Sequence, residues 1–403
     1  MSPNPFQRLF SAGYRVFFLL AGLSAVLTMI VWEGWLAIHA SGGMVTGEPF
    51  AMAPHLWHAH ELIFGYGSAA VAGFLMTAAP NWTGSKSAPV SFFAATSALW
   101  LAGRMAIWWS GGLPPVLTAT LDLAFVPVVA LRILALLLKR PKPPQMLILG
   151  VIVLFWLGNL LVHFEWTGLT DDTASAGLRV GLLTLCALIM TLGGRITPAF
   201  TRNAMIRAGR EDHLPANPPV LAAASIAAAL LVPVTMLFGL PGAVPGALAL
   251  LAGAAGLARL SMWRGGWTLS QPILWTLHLS YATNSLGFIL VGLSLAGIGS
   301  EVAALHVAGI GGVGGMTLSV MSRAALGHSG RPLVAPWPVA LAYALMPLAT
   351  LLRYAASAWP GFYFTGVLLA GALWILVYVL YTAALWPVFW GEREDAAGKG
   401  AEA

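Results

Sequence analysis

The chain has 403 residues, 59% of them hydrophobic and only 8% charged, with a formal net charge of +6. That composition excludes a soluble domain, and basic residues scattered between apolar segments read as membrane topology rather than nucleic-acid binding. The single cysteine, Cys186, excludes an intramolecular disulfide, an all-cysteine zinc site and a cysteine-ligated iron–sulfur cluster.

Arg8 and Arg15 precede an apolar stretch that runs to about Ile38, long enough to span a bilayer and remain as an anchor. Polar or Gly/Pro-rich breaks then fall at 41–54, 81–89, 110–115, 139–144, 165–176, 201–219, 239–245, 263–271, 297–301, 327–338 and 353–361. They delimit twelve spans of roughly 18–25 residues, the length a bilayer core requires. The expected fold is therefore an all-α integral membrane protein, one transmembrane domain over residues 1–403 with a short polar tail at 391–403. With both termini cytoplasmic, the inner segments hold 16 of the 20 Lys and Arg, while the outer loops hold Glu48, Glu165, Asp171, Asp172 and Glu301. This asymmetry supports both the span count and the orientation.

Spans 2, 6 and 10 each carry a Met-Thr dipeptide in the inner half: Met76-Thr77, Met190-Thr191 and Met316-Thr317. A polar, Gly-containing segment follows each. The interval of four spans suggests three four-helix units about a pseudo-threefold axis; the alternative is that small and polar residues line helix–helix contacts.

The densest chemistry is His55-Leu56-Trp57-His58-Ala59-His60-Glu61, at the outer mouth of span 2. Imidazoles and a carboxylate beside lipid are costly, which makes them candidates for function, and histidine is the commonest ligand of transition metals. His55, His58 and Glu61 fall on one helical face, whereas His60 is about 200° from His58. The cluster therefore divides between two centres or between a centre and a neighbouring helix. His163 lies at the outer end of span 5, His39 at that of span 1, His278 near the middle of span 9, and His306 in the outer part of span 10. His278 must find a partner or ligate. His306 begins a face rich in glycine (Gly309, Gly311, Gly312, Gly314, Gly315) that accepts a closely packed helix or a macrocycle. Arg104, read as mid-span, and Asp122 in the next span are expected to pair; a haem propionate partner and a proton route are their functional alternatives. The stretch 193–203, with Arg195 and Arg202, reads as a broken helix end and inner-face anchor.

These same segments resemble the NnrS family of bacterial membrane proteins. The resemblance rests on Trp57-His58-Ala59-His60-Glu61 with Phe64-Gly65, on residues 72–84, on Leu99 to Arg104, on Gly194 to Asn203, on His278-Leu279-Ser280-Tyr281, and on Leu305-His306 through Pro332. It covers nearly the whole chain in order. It implies a haem- and copper-containing protein of the bacterial cytoplasmic membrane that handles nitric oxide or its adducts in nitrosative stress. Twelve spans with a threefold hint are also similar, at the level of fold alone, to the core subunit of haem–copper oxidases and nitric oxide reductases. There is, however, no adjacent His-His pair here.

The resemblance implies haem b and copper, and the depth of the histidines makes His58, His60, His278 and His306 their expected ligands, with His55 in addition for metal. Glu61 would orient an imidazole or relay protons, Tyr281 would donate to a bound gas ligand, and Arg104 would meet the cofactor. The expected partner is nitric oxide or a related small molecule, with electrons from a donor outside the chain. A transporter that couples through the histidines and Glu61, or a membrane sensor without turnover, are the alternatives.

Overall fold

The computed structural model describes residues 4–394, and these form helices and connecting loops with no strand. Among them, twelve long helices follow in order: α1 (Gly13–Ala40), α2 (Pro54–Thr83), α3 (Val90–Trp108), α4 (Pro115–Leu137), α5 (Pro143–Trp166), α6 (Ala174–Arg207), α7 (Pro219–Leu237), α8 (Ala243–Ser261), α9 (Pro272–Leu295), α10 (Glu301–His328), α11 (Trp337–Ala358) and α12 (Pro360–Trp390). Eleven are long and apolar enough to cross a membrane. The other, α9, has the length, 24 residues, but carries His278, Ser280, Tyr281, Thr283, Asn284 and Ser285 from its second turn to just past its middle. Lys399 and the tail beyond Glu394 lie outside the described residues.

Local sequence sets the boundaries. Pro54, Pro115, Pro143, Pro219 and Pro272 each open a helix, where the missing N–H is no loss and φ is already helical. Gly84 ends α2 in the left-handed region (φ 65°), as a C-terminal cap requires.

The chain divides into two compact units rather than into three sets of four helices. One comprises the residues up to Leu178, with Met321–Val339 and the chain from Tyr378 onward; the other is Arg179–Val320 with Ala340–Val377. The three spans that carry Met-Thr do share a feature. Each contains a widened π turn: Glu61–Tyr66 in α2, Ile189–Gly193 in α6 and Val307–Gly314 in α10. Such turns upset the regular ladder and cluster at functional positions.

In the first unit, the π turn of α2 is held from α3. The Trp100 indole donates to the Gly65 carbonyl (3.1 Å), as does the Ser68 hydroxyl (3.1 Å). Gly65 also makes room: a Cβ there would lie 2.9 Å from Arg104 Nη1. At the far end of this unit Arg15 caps α12, donating to the carbonyls of Val388, Phe389 and Gly391 (3.1, 2.9 and 2.7 Å).

In the second unit, the stretch of α6 around Pro198 is held by Arg259, which is fully buried. Pro198 has no N–H for the Gly194 carbonyl, and Arg259 Nη2 takes its place (3.0 Å) together with the Asn217 amide (3.2 Å). Arg259 Nη1 donates to Met190 O, Ser225 Oγ and Tyr281 Oη, and Nε to Asn217 Oδ1. The stretch expected to be a broken helix end stays helical through Pro198, with the buried Arg259 beneath it and with Arg195 and Arg202 exposed.

Helices α9 and α10 run antiparallel in close register. Thr276 and Ser319 share a hydrogen bond (2.7 Å), and a Cβ at Gly287 would lie 2.8 Å from the Ala308 Cα. This register places His306 level with Ile289, eleven residues along α9 from His278, about 16 Å at 1.5 Å per residue.

Candidate metal centre

The first unit gathers its polar residues where α2, α3, α4 and α5 meet. His60 and Glu61 come from the junction of the first turns of α2 with its π turn. Arg104 comes from the last turn of α3, which ends at Trp108, so it is not mid-span. Asp122 comes from the start of the third turn of α4, and Asn159 and His163, four apart, share one face near the end of α5. His60, Glu61, Asp122, Asn159 and His163 are all buried.

The expected Arg104–Asp122 pair forms, between Nη2 and Oδ1, and Arg104 Nη1 also holds Glu61 Oε1. Both contacts fix the carboxylates. Asp122 Oδ2 is left facing the centre, where it accepts from Asn159 Nδ2 (2.8 Å) and lies 2.8 Å from His163 Nε2 and 3.3 Å from His60 Nε2. One nitrogen of His60 and one of His163, with a carboxylate oxygen of Asp122, lie within 4.8 Å of one another.

Hydrogen-bond bookkeeping shows what the arrangement can accept. Glu61 Oε1 lies 3.1 Å from His60 Nδ1, and a carboxylate there favours the tautomer with hydrogen on Nδ1. The Nε2 lone pair then points at two acceptors, Asn159 Oδ1 at 2.9 Å and Asp122 Oδ2 at 3.3 Å. The orientation of Asn159 is fixed, because its amide must donate to Asp122. Three acceptors facing one another in a buried site are relieved by a cation. In charge terms, two carboxylates and one guanidinium leave the neutral-imidazole cluster at minus one, in the same sense. Ligand distances of about 2.0–2.2 Å in a tetrahedral site place donor atoms about 3.3–3.6 Å apart, within the 4.8 Å that bounds the three donors here. The Glu61–His60 contact is the carboxylate–imidazole arrangement that orients metal-bound histidine.

Over residues 8–393 the chain matches the family model described as NnrS protein. It belongs to the NnrS family. No curated protein matches the chain.

Depth drew attention to five histidines, His55, His58, His60, His278 and His306, of which the first three lie in the first unit and the last two in the second. His60 leaves the His58 face, as helical geometry requires, and joins His163 and Asp122. Glu61 goes with His60 rather than with His58, because the chain enters its π turn at that residue. His58 stacks on Trp32 of α1 (4.6 Å between ring centres, 19°), which stacks in turn on Trp35. His55 is exposed.

His278 and His306 belong to the second unit. Helix α9 begins at Pro272, so His278 stands in its second turn rather than near its middle. Its Nε2 lies 2.8 Å from Thr201 Oγ1, whose hydroxyl donates to Thr197 O (3.0 Å). Thr201 therefore accepts from His278 Nε2–H, and Nδ1 remains buried without a partner among the described residues. His306 Nδ1–H donates to Val302 O (2.7 Å), which leaves its Nε2 lone pair for a ligand. About 16 Å of helix separates the two histidines, so they cannot share one ion. Tyr281 is buried with its hydroxyl held by Arg259 (2.9 Å) and its ring against Trp263 (4.6 Å). It shares the second unit with His278.

Two participants escaped the sequence-based site: His163 and Asn159. The signal was present, since they form the polar pair at i, i+4 in an otherwise apolar span and His163 has the same depth as His60.

Proposed function

We propose that this NnrS-family membrane protein holds a transition metal through His60 Nε2, His163 Nε2 and Asp122 Oδ2, and binds or turns over nitric oxide or a related small molecule there. One observation carries the reading: the lone pair of an imidazole, set by Glu61, faces two other acceptors in a buried pocket that carries one negative charge. Two imidazoles and a carboxylate suit copper, non-haem iron or zinc, and the family resemblance favours copper. Small apolar gases partition into membranes, so a buried site is reached without a polar channel.

The same reading gives the chain a haem b in its second unit. His306 would hold it through Nε2, since its Nδ1–H donates to a backbone carbonyl. One turn on, Gly309 faces open space: a Cβ there would meet only Leu182, at 3.8 Å. His278 offers one further free nitrogen. Haem supplies a ferrous or ferric iron to bind nitric oxide and to carry an electron. The protein's part is to present these nitrogens, exclude water and hold the charges of Glu61, Arg104 and Asp122.

The test is purification of the wild type beside His60→Ala, His163→Ala and His306→Ala, with metal analysis and visible spectra of each. The reading expects loss of the non-haem metal in the first two and loss or shift of the Soret band in the third. Unchanged metal and spectra in all three variants contradict it. Nitric oxide consumption by the reduced wild type then separates turnover from binding.

A further inference from the structure

Beyond the triad, toward the start of α4 and the end of α5, lie donors that the cluster does not use. Trp166 is the last residue of α5, and its ring stands 5.0 Å from that of His60 and 5.5 Å from that of His163. Thr118 is one turn before Asp122 on the same face of α4. Helices α4 and α5 are antiparallel, and Asp122 bonds both Asn159 and His163. Thr118 is therefore level with the last turn of α5, where Trp166 sits. Thr118 is only 3% exposed. Among the described residues, Trp166 Nε1, Thr118 Oγ1 and Arg104 Nε are buried polar atoms with no hydrogen-bond partner. Buried donors without acceptors are rare in folded proteins, and two beside the triad, Trp166 against the rings of His60 and His163 and Thr118 on the Asp122 face of α4, suit a ligand that supplies acceptors.

Charge sets the class of that ligand. Glu61, Asp122 and Arg104 sum to minus one, so a divalent metal brings the site to plus one and a monovalent metal brings it to neutrality. A buried site at plus one favours a monoanion, and a neutral one favours a neutral molecule. We infer that Trp166 and Thr118 form the ligand-receiving side of the centre. They would donate to a small monoanion with accepting oxygen or nitrogen atoms, of the nitrite or azide class, when the metal is divalent, and the anion would leave when an external one-electron reductant such as ascorbate or dithionite takes the metal to the monovalent state. The inference rests on the triad holding a metal; it adds which residues meet the ligand and which charge the ligand carries in each state.

The experiment loads the purified full chain with copper(II) and titrates azide, then nitrite, following the visible and electron paramagnetic resonance spectra, with copper content measured on every sample. Trp166→Phe and Thr118→Val, which remove a donor while keeping bulk, are expected to retain copper and to weaken azide binding about tenfold each, the effect of one hydrogen bond to a charged partner. Reduction to copper(I) is expected to abolish azide binding in the wild type. Wild-type azide affinity in both variants, or no azide response from copper-loaded wild type, overturns the inference while leaving the metal reading intact. A wild type that takes up no copper at these residues overturns both.

Discussion

Replacing Arg104 by Gln removes the one cation of the buried cluster and leaves Glu61 and Asp122 facing each other without compensation. The size of the effect follows from the geometry. A unit-charge pair at about 4 Å contributes about 4 kcal/mol at an effective dielectric constant of 20, and Arg104 touches two carboxylates, so the gross loss is about 8 kcal/mol. Desolvation of the guanidinium, no longer required, returns several kcal/mol, which leaves a net destabilisation of about 3–5 kcal/mol. At about 2 °C per kcal/mol this is a fall in Tm of about 6–10 °C. A thermal unfolding series in detergent, monitored by an environment-sensitive dye, reads it directly. The double variant Arg104→Gln with Glu61→Gln restores the formal charge of the cluster to minus one and should recover about half of the loss. A single variant within about 2 °C of the wild type, or a double variant that loses the sum of two independent effects, would refute the claim that these charges form one unit.

Other expected outcomes follow from particular contacts. A Cβ on Gly194 would lie 2.6 Å from Arg259 Nη2, so Gly194→Val displaces the guanidinium and leaves the Gly194 carbonyl unpaired; a loss of about 1–3 kcal/mol should appear in the same unfolding assay. Gly287→Leu forces α9 away from Ala308 on α10 and should cost a similar 1–3 kcal/mol while leaving the metal content of the first unit unchanged. Thr201→Val removes the acceptor of His278 Nε2–H; if His278 Nδ1 binds haem, the variant should keep haem but shift its absorption bands, and an unchanged spectrum argues against His278 as a ligand.

The fold was largely legible because membrane spans announce themselves. A continuous apolar run has one reading, and prolines such as Pro54, Pro115 and Pro143 mark helix starts through their own φ. The ninth expected span coincides with helix α9, Pro272–Leu295, whose polar residues leave it outside the eleven helices apolar enough to cross a membrane. The division into two units was not legible, since a dipeptide repeated every four spans records shared local chemistry and not which helices pack together. The π turns were equally hidden: their carbonyls are satisfied by groups distant in sequence, Trp100 for Gly65 and Arg259 for Met190.

Part of the site could be read. The cost of an isolated buried charge foretold the Arg104–Asp122 pair, and helical rotation foretold that His58 and His60 part company. Depth orders residues along the membrane normal and says nothing of lateral neighbours, so it could not single out Asp122 and His163 as the partners of His60. His163 fell outside the expected ligand set because a lone histidine at a helix end is ordinarily solvated; its i, i+4 partner Asn159 was the feature that distinguished it.

The most direct test of the account is metal stoichiometry in His163→Ala measured beside His58→Ala. The cluster built from His60, His163 and Asp122 predicts that His163→Ala loses the non-haem metal while His58→Ala, stacked on Trp32 and apart from the triad, retains it. Full metal in His163→Ala together with its loss in His58→Ala would contradict the assignment.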